Sequence, residues 1–190
     1  MRMTIQRLTR PALPLDLVAT RDHLRIVGDH DDTSLIEMTE AAAHELEEAA
    51  EIALITQTIR VTVEGWPDSD RLRLPIGPVL GDNPTFQVMA EGELIEAELI
   101  GGTRPVLVLG ETVTEYLHHA RFVIEYEAGF GATPEALPPD IRHAIRDQVA
   151  ALYDFRGANA HEAKTPQARG TSSQSYAMQR AIGRYRGVKA

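Results

Sequence analysis

The sequence predicts an α+β fold: a helical body of two N-terminal helices and one C-terminal helix, a small antiparallel β-sheet inserted between them, and an extended C-terminal arm. Three observations carry this. Apolar residues recur at helical spacing over 35–55 and again over 139–156. Between them, over about 56–127, the period drops to two, with β-branched residues and Gly/Pro/Asp turns. After Gly157 both periods vanish, which sets one folded domain at 1–157 and a flexible docking arm at 158–190.

Each element has a local cause. A first helix is expected over 17–25, capped by Asp16, with Leu17, Arg21 and Leu24 on one side. The polar turn GDHDD separates it from a long helix over 35–55, whose start reads as a capping box of Ser34 and Glu37. Leu35, Met38, Ala42, Leu46, Ala49 and Ala53 form its apolar stripe; Glu37, Glu40, Glu47 and Glu51, with His44, form an acidic one. TQTIRVTV, RLRLP, PVLVLG and ARFVIEYEAG read as strands, and FQVMAEGELIEAELI reads as a hairpin turning at Glu91-Gly92. Pro139 and Asp140 suit the first turn of a helix over 139–156, because proline lacks the N–H that is unpaired there and the acid complements the helix dipole. Its apolar face is Ile141, Ala144, Ile145, Val149 and Leu152.

The arm begins with ANAHEAKTPQARGTSSQS, too small and polar to offset the entropy of ordering. Its end differs. Met178, Ala181, Ile182, Tyr185 and Val188 share one face of a short helix, expected to form only when docked. Residues 157–190 hold six basic residues against one acid, a charge of +5, which leaves −14 on residues 1–156 of a chain at −9. An acidic body repels nucleic acid at long range, whereas the tail is drawn to acidic surfaces. The candidate docking residues are therefore Tyr176, Met178, Arg180, Ile182, Arg184, Tyr185 and Arg186. Nucleic-acid binding through the same basic tail is the alternative reading. Membrane binding is not expected, since a short helix interrupted by Gly183 and Gly187 is a weak anchor.

Few residues point to chemistry. Cysteine is absent, which excludes disulfides and thiolate metal sites. Asp29, Asp31, Thr33 and Glu40 are spaced like a calcium loop, but Ser34 stands where the loop needs glycine. His118 and His119 are adjacent and so face opposite sides of a strand, and His44 with Glu48 lacks the rest of a zinc motif. GFGATP has too few glycines for a dinucleotide site, and no G-x-S-x-G or P-loop occurs. No catalytic residue, metal or cofactor is expected. The segment MRMTIQRLTRPALP has no apolar core of a secretory signal.

DLVATRDHLRI, DDTSLIEMTEAAAHELEEA, TQTIRVTVEGWP, LRLPIGPV, VIEYEAGFG and LPPDIRHAIRDQVAALYDFRG follow one another in this order. Together, over about residues 15–157, they resemble the head–tail connector (adaptor) family of long-tailed phages and gene transfer agents, also labelled phage DNA-packaging protein. The resemblance implies a non-enzymatic structural adaptor. Its copies form a ring, usually of twelve, beneath the portal. The ring extends the DNA channel and joins the portal protein to stopper or tail-completion proteins. DNA passes through without sequence-specific contact. The protein is made in the bacterial cytoplasm and resides at the head–tail junction of the particle. On this reading Glu37, Glu40, Glu47 and Glu51 line the channel or a subunit interface, and the tail reaches the portal.

Overall fold

The computed structural model describes residues 1–9, 11–67, 69–81, 84–110, 120–155 and 174–187. It divides into two compact units: a β unit of Met1–Ala12 with Ile55–Ala132, and a helical unit of Leu13–Leu54 with Thr133–Ala190. The α+β class holds, but the sheet is not a simple insertion. The chain opens with a strand, and the strands form two sheets instead of one.

In the β unit, β1 (Arg2–Arg7), β2 (Gln57–Glu64), β8 (Arg121–Ala128), β4 (Phe86–Ala90) and β5 (Glu93–Leu94) form one antiparallel sheet in that order. β3 (Arg71–Arg73), β7 (Val106–Leu109) and β6 (Ala97–Ile100) form the second. Alternation in β2 and β8 sets the register. Ile59 faces Tyr126, Val61 faces Ile124 and Val63 faces Phe122, and all six are buried. A shift of one residue would turn this whole row outward. Trp66 closes the row against Phe122, with ring centroids 4.8 Å apart, and its indole N–H donates to the Ser69 carbonyl at 2.9 Å. Leu72, Leu99 and Leu107 stack across the second sheet. The Tyr126 hydroxyl, buried with its ring, donates to the Ile76 carbonyl at 3.0 Å and accepts from the Ile76 N–H at 3.3 Å. Gly129 has φ +145°, and a Cβ there would lie 2.5 Å from the Thr56 backbone, so a side chain is excluded by both conformation and space.

The expected hairpin divides between the sheets. Glu91-Gly92 does make the turn between β4 and β5, but after Ile95 the chain leaves to pair β6 with β7.

The helical unit comprises α1 (Leu17–Leu24), α2 (Asp32–Ala50), a 3-10 turn (Pro134–Ala136), α3 (Pro139–Phe155) and α4 (Tyr176–Tyr185). The Asp16 carboxylate caps α1, accepting from the Val18 and Ala19 N–H groups at 3.3 Å. The capping box of Ser34 and Glu37 does not form. α2 starts earlier, at Asp32, so Ser34 already lies inside the first turn. Asp31 precedes the helix without capping it, and its carboxylate accepts from the Tyr153 hydroxyl of α3 at 2.5 Å. α2 also stops earlier than expected. Glu51 adopts a left-handed φ of 56°, so buried Ile52, Ala53 and Leu54 leave the helix as irregular chain.

The buried side of α2 is Leu35, Thr39, Ala42, Ala43, Leu46, Glu47 and Ala50. This is rotated from the expected stripe, leaving Met38 and Ala49 half-exposed. On α3, Ile141, Ala144, Ile145 and Val149 are fully buried as expected, while Leu152 is half-exposed.

Candidate functional site

The end of the chain differs from the sequence expectation. Of the segment 158–175, expected as a flexible spacer, residues 158–173 lie outside the described residues, while Gln174 and Ser175 are placed and hydrogen-bonded. The helix that follows is not a free arm. α4 packs on α2 and α3 within the helical unit. Its start is well defined: the Ser175 hydroxyl accepts from the Met178 N–H at 3.1 Å as an N-cap. Met178 is fully buried and Ala181 is 5% exposed. Ile182 and Tyr185 are half-buried, and Val188 lies outside the described residues. The apolar stripe assigned to an external groove is thus largely covered by the protein's own helices. The physical reason is ordinary. A helix of ten residues is marginal alone and takes the apolar surface that α2 and α3 of its own unit offer.

Polar groups fix the helix in place. The Ser175 N–H donates to Gln148 Oε1 at 2.6 Å. Gln148 Nε2 in turn donates to Glu45 at 3.3 Å, and Gln174 Nε2 donates to the same carboxylate at 2.7 Å. At the other end of α4, Asp140 accepts from the Tyr185 hydroxyl at 3.0 Å and pairs with Arg184 Nη1 at 3.0 Å. Partial burial, then the Asp140 carboxylate, push the Tyr185 hydroxyl above the usual tyrosine range. A signal for part of this network was present in the sequence. Gln148 interrupts the apolar face of α3 between Ile145 and Val149, and a polar residue there must find a partner when buried. Nothing comparable marks Glu45 or Asp140.

The other side of α4 is open. Tyr176 is 74% exposed, and Arg180, Arg184 and Arg186 are exposed. The Arg180 guanidinium lies over the Tyr176 ring, 5.8 Å from its centroid. An open groove of about 450 Å³ runs between α3 and α4, lined by Asp140, His143, Ala177, Arg180, Ala181 and Arg184. Two guanidiniums and a single acid make it a surface suited to carboxylates. Of the seven candidate docking residues, then, Tyr176, Arg180, Arg184 and Arg186 are presented outward and Met178 is not.

The acidic stripe of α2 is also divided. Glu37 is exposed, and Glu40 and Glu51 are half-exposed. Glu47 is 6% exposed, and its Oε1 accepts from the Leu54 N–H at 2.7 Å. At about 100° per residue, Glu47 sits about 80° round the helix from Glu37, on the flank that packs inward. Its carboxylate holds the irregular chain after α2 and is turned away from solvent. The outward row is instead Thr33, Glu37, Ala41, His44 and Glu48.

Among the described residues, no group of three or more His, Asp or Glu side chains is arranged to hold a metal ion. His118 and His119 lie outside them. No described helix is long and apolar enough to cross a membrane.

No family model matches the chain, and no curated protein matches it. Solved structures do. A chain in the virion of a native gene transfer agent particle superposes with a TM-score of 0.72 at 26% identity, covering 98% of this chain and 96% of that one. A chain in the neck of the empty gene transfer agent particle, computed with C6 symmetry, gives 0.71 at 24% identity over 98% and 97%. One in the neck of the native particle, computed with C12 symmetry, gives 0.70 at 24% over 98% and 97%. The chain therefore shares its fold, over nearly its whole length, with chains of the gene transfer agent virion and neck.

Proposed function

We propose that this protein is a structural component of the neck of a gene-transfer-agent-like particle, at the head–tail junction, where its copies form a ring. The observation that carries the reading is the near-complete superposition on virion and neck chains, with a TM-score of 0.72 for the virion chain. The C6 and C12 symmetries of the matched neck structures support multiple copies around an axis.

Within the neck, the role is that of an adaptor under the portal, extending the DNA channel and joining the portal protein to stopper or tail-completion proteins. The sequence resemblance supports this finer assignment. Portal contact falls to the outward side of α4: Tyr176, Arg180, Arg184 and Arg186. These would meet portal carboxylates while Met178 stays in its own unit. Glu37, with the half-exposed Glu40 and Glu51, faces the channel or a neighbouring subunit. An acidic wall would let a duplex slide without sticking.

Deleting the gene in a particle-producing strain should leave DNA-filled heads separated from tails. Intact tailed particles without this protein would overturn the reading. A nucleic-acid-binding module acting through the exposed arginines is the second reading, favoured by Arg180 and Arg186. It requires DNA affinity that falls steeply with salt and is lost when α4 is neutralised.

A further inference from the structure

The β unit has four terminal strands, β1, β5, β3 and β6, and β1 and the β5–β6 stretch carry opposite charge. β1 ends the five-stranded sheet and pairs only with β2. The stretch 1–10 that contains it carries three arginines and no acid. The chain from Glu93 to Ile100 supplies two further terminal strands joined by two residues. β5 is the last strand of the first sheet, and β6, which follows after two residues, is the last strand of the second. Residues 91–100 carry four acids and no base. Among the described residues no strand covers either edge.

Charge on both edges, and the two-residue length of β5, protect them only in part. Free edges are usually short, bulged, or purely charged, because unpaired N–H and C=O groups invite another chain. Here both carry apolar side chains. Ile5 stands opposite Val61 in the register, on the row that Val61 buries completely, yet it is 44% exposed. Leu8, just beyond β1, is 42% exposed. Leu94 is 73% and Ile100 is 42% exposed. Glu93, Glu96 and Glu98 are exposed, and their side chains make no hydrogen bond or ion pair among the described residues, as is true of the Arg2 side chain.

We propose that β1 of one copy pairs with the Glu93–Ile100 edge of the next, so that the sheets continue from subunit to subunit. This rests on the ring reading above. The occupant is a second copy because the two edges complement each other in charge and in apolar content, and because each copy carries both. Such a contact is head-to-tail, the kind that closes into a ring when the rotation between copies permits. Main-chain hydrogen bonds would supply the affinity, and the arginine–glutamate pairs would set direction and exclude a β1–β1 pairing.

The absence of cysteine makes the test clean. Thr4→Cys is combined, in the full chain, with Leu94→Cys, Glu96→Cys or Glu98→Cys, which covers three registers. Particles from producing cells are oxidised and run on non-reducing gels. β1 and β5 are four strand positions apart in one copy, about 19 Å, too far for an internal disulfide. The expected result is a ladder of covalent multimers for at least one pair, and none for Thr4→Cys with Val27→Cys, whose partner site is 89% exposed. In parallel, Arg2→Glu should weaken self-association by about fivefold and Glu98→Arg should restore it in the double variant. Multimers by native mass measurement with no ladder in any register overturn the edge contact and leave the ring reading standing. A ladder from the Val27→Cys control as strong as the others also overturns it. A chain that stays single in particles and at high concentration overturns both.

Discussion

Truncating Met178 to alanine tests whether α4 is held by its own unit. The side chain is fully buried, and its neighbours on that face add less: Ala181 is small, and Ile182 and Tyr185 are half-covered. Removing a buried methionine costs about 2–5 kcal/mol. A ten-residue helix with Gly183 inside it has little intrinsic stability to set against that loss, since Gly costs about 1 kcal/mol relative to Ala. The loss should therefore appear first as local release of α4 and not as global unfolding. Hydrogen exchange measured by mass spectrometry reads this directly. Protection in peptides spanning 176–185 should fall by about 30-fold or more, since about 1.4 kcal/mol is one decade, while α3 and β8 keep theirs. Gly183→Ala gives the opposite sign. A Cβ at Gly183 meets nothing within 4 Å, so the substitution should raise protection in α4 by about threefold to fivefold through helix propensity alone. If α4 exchanges freely in the wild type, or if Met178→Ala leaves it unchanged, the helix is a free arm and the intramolecular docking is wrong.

Two further outcomes follow from buried polar groups. Glu47→Ala should lower stability by about 1–3 kcal/mol by leaving the Leu54 N–H unpaired, while Glu37→Ala should stay within about 0.5 kcal/mol; urea melts compare them. Burial pushes the Tyr126 hydroxyl well above the ordinary tyrosine value, so its contribution is complete at neutral pH and is lost as pH rises past about 10; the Ile76 hydrogen bond opposes the shift without reversing it. Tyr126→Phe should cost about 1–2 kcal/mol at pH 7 and flatten the alkaline fall in melting temperature.

The sequence was most informative where a pattern repeats and one face is buried. The alternation of β2 and β8, the apolar row of α3 and the Asp16 cap are local signals that the structure satisfies. It was less informative where tertiary contacts choose among local options. β1 carries no clean alternation, because it is an edge strand exposed on both faces, and only its pairing with β2 makes it a strand. Asp31 stands at the N-cap of α2 but caps nothing, and its carboxylate instead meets Tyr153, 122 residues away. Glu47 reads as one more acid in a solvated stripe, since nothing local announces that α2 will end at Ala50 and turn a backbone N–H toward it. The tail shows both sides. Its helix and its basic residues follow from the sequence, whereas the Ser175 cap falls in the stretch expected as spacer. That its apolar face is satisfied by α2 and α3 depends on a surface assembled from distant segments.

The most direct test of the account is cryo-EM of particles from a producing strain, with the neck reconstructed and this chain fitted to density. The account predicts a ring of its copies at the head–tail junction, with α4 seated on its own α2 and α3 and with Tyr176, Arg180, Arg184 and Arg186 turned outward. Particles whose neck lacks the chain, or that carry it elsewhere, would contradict it.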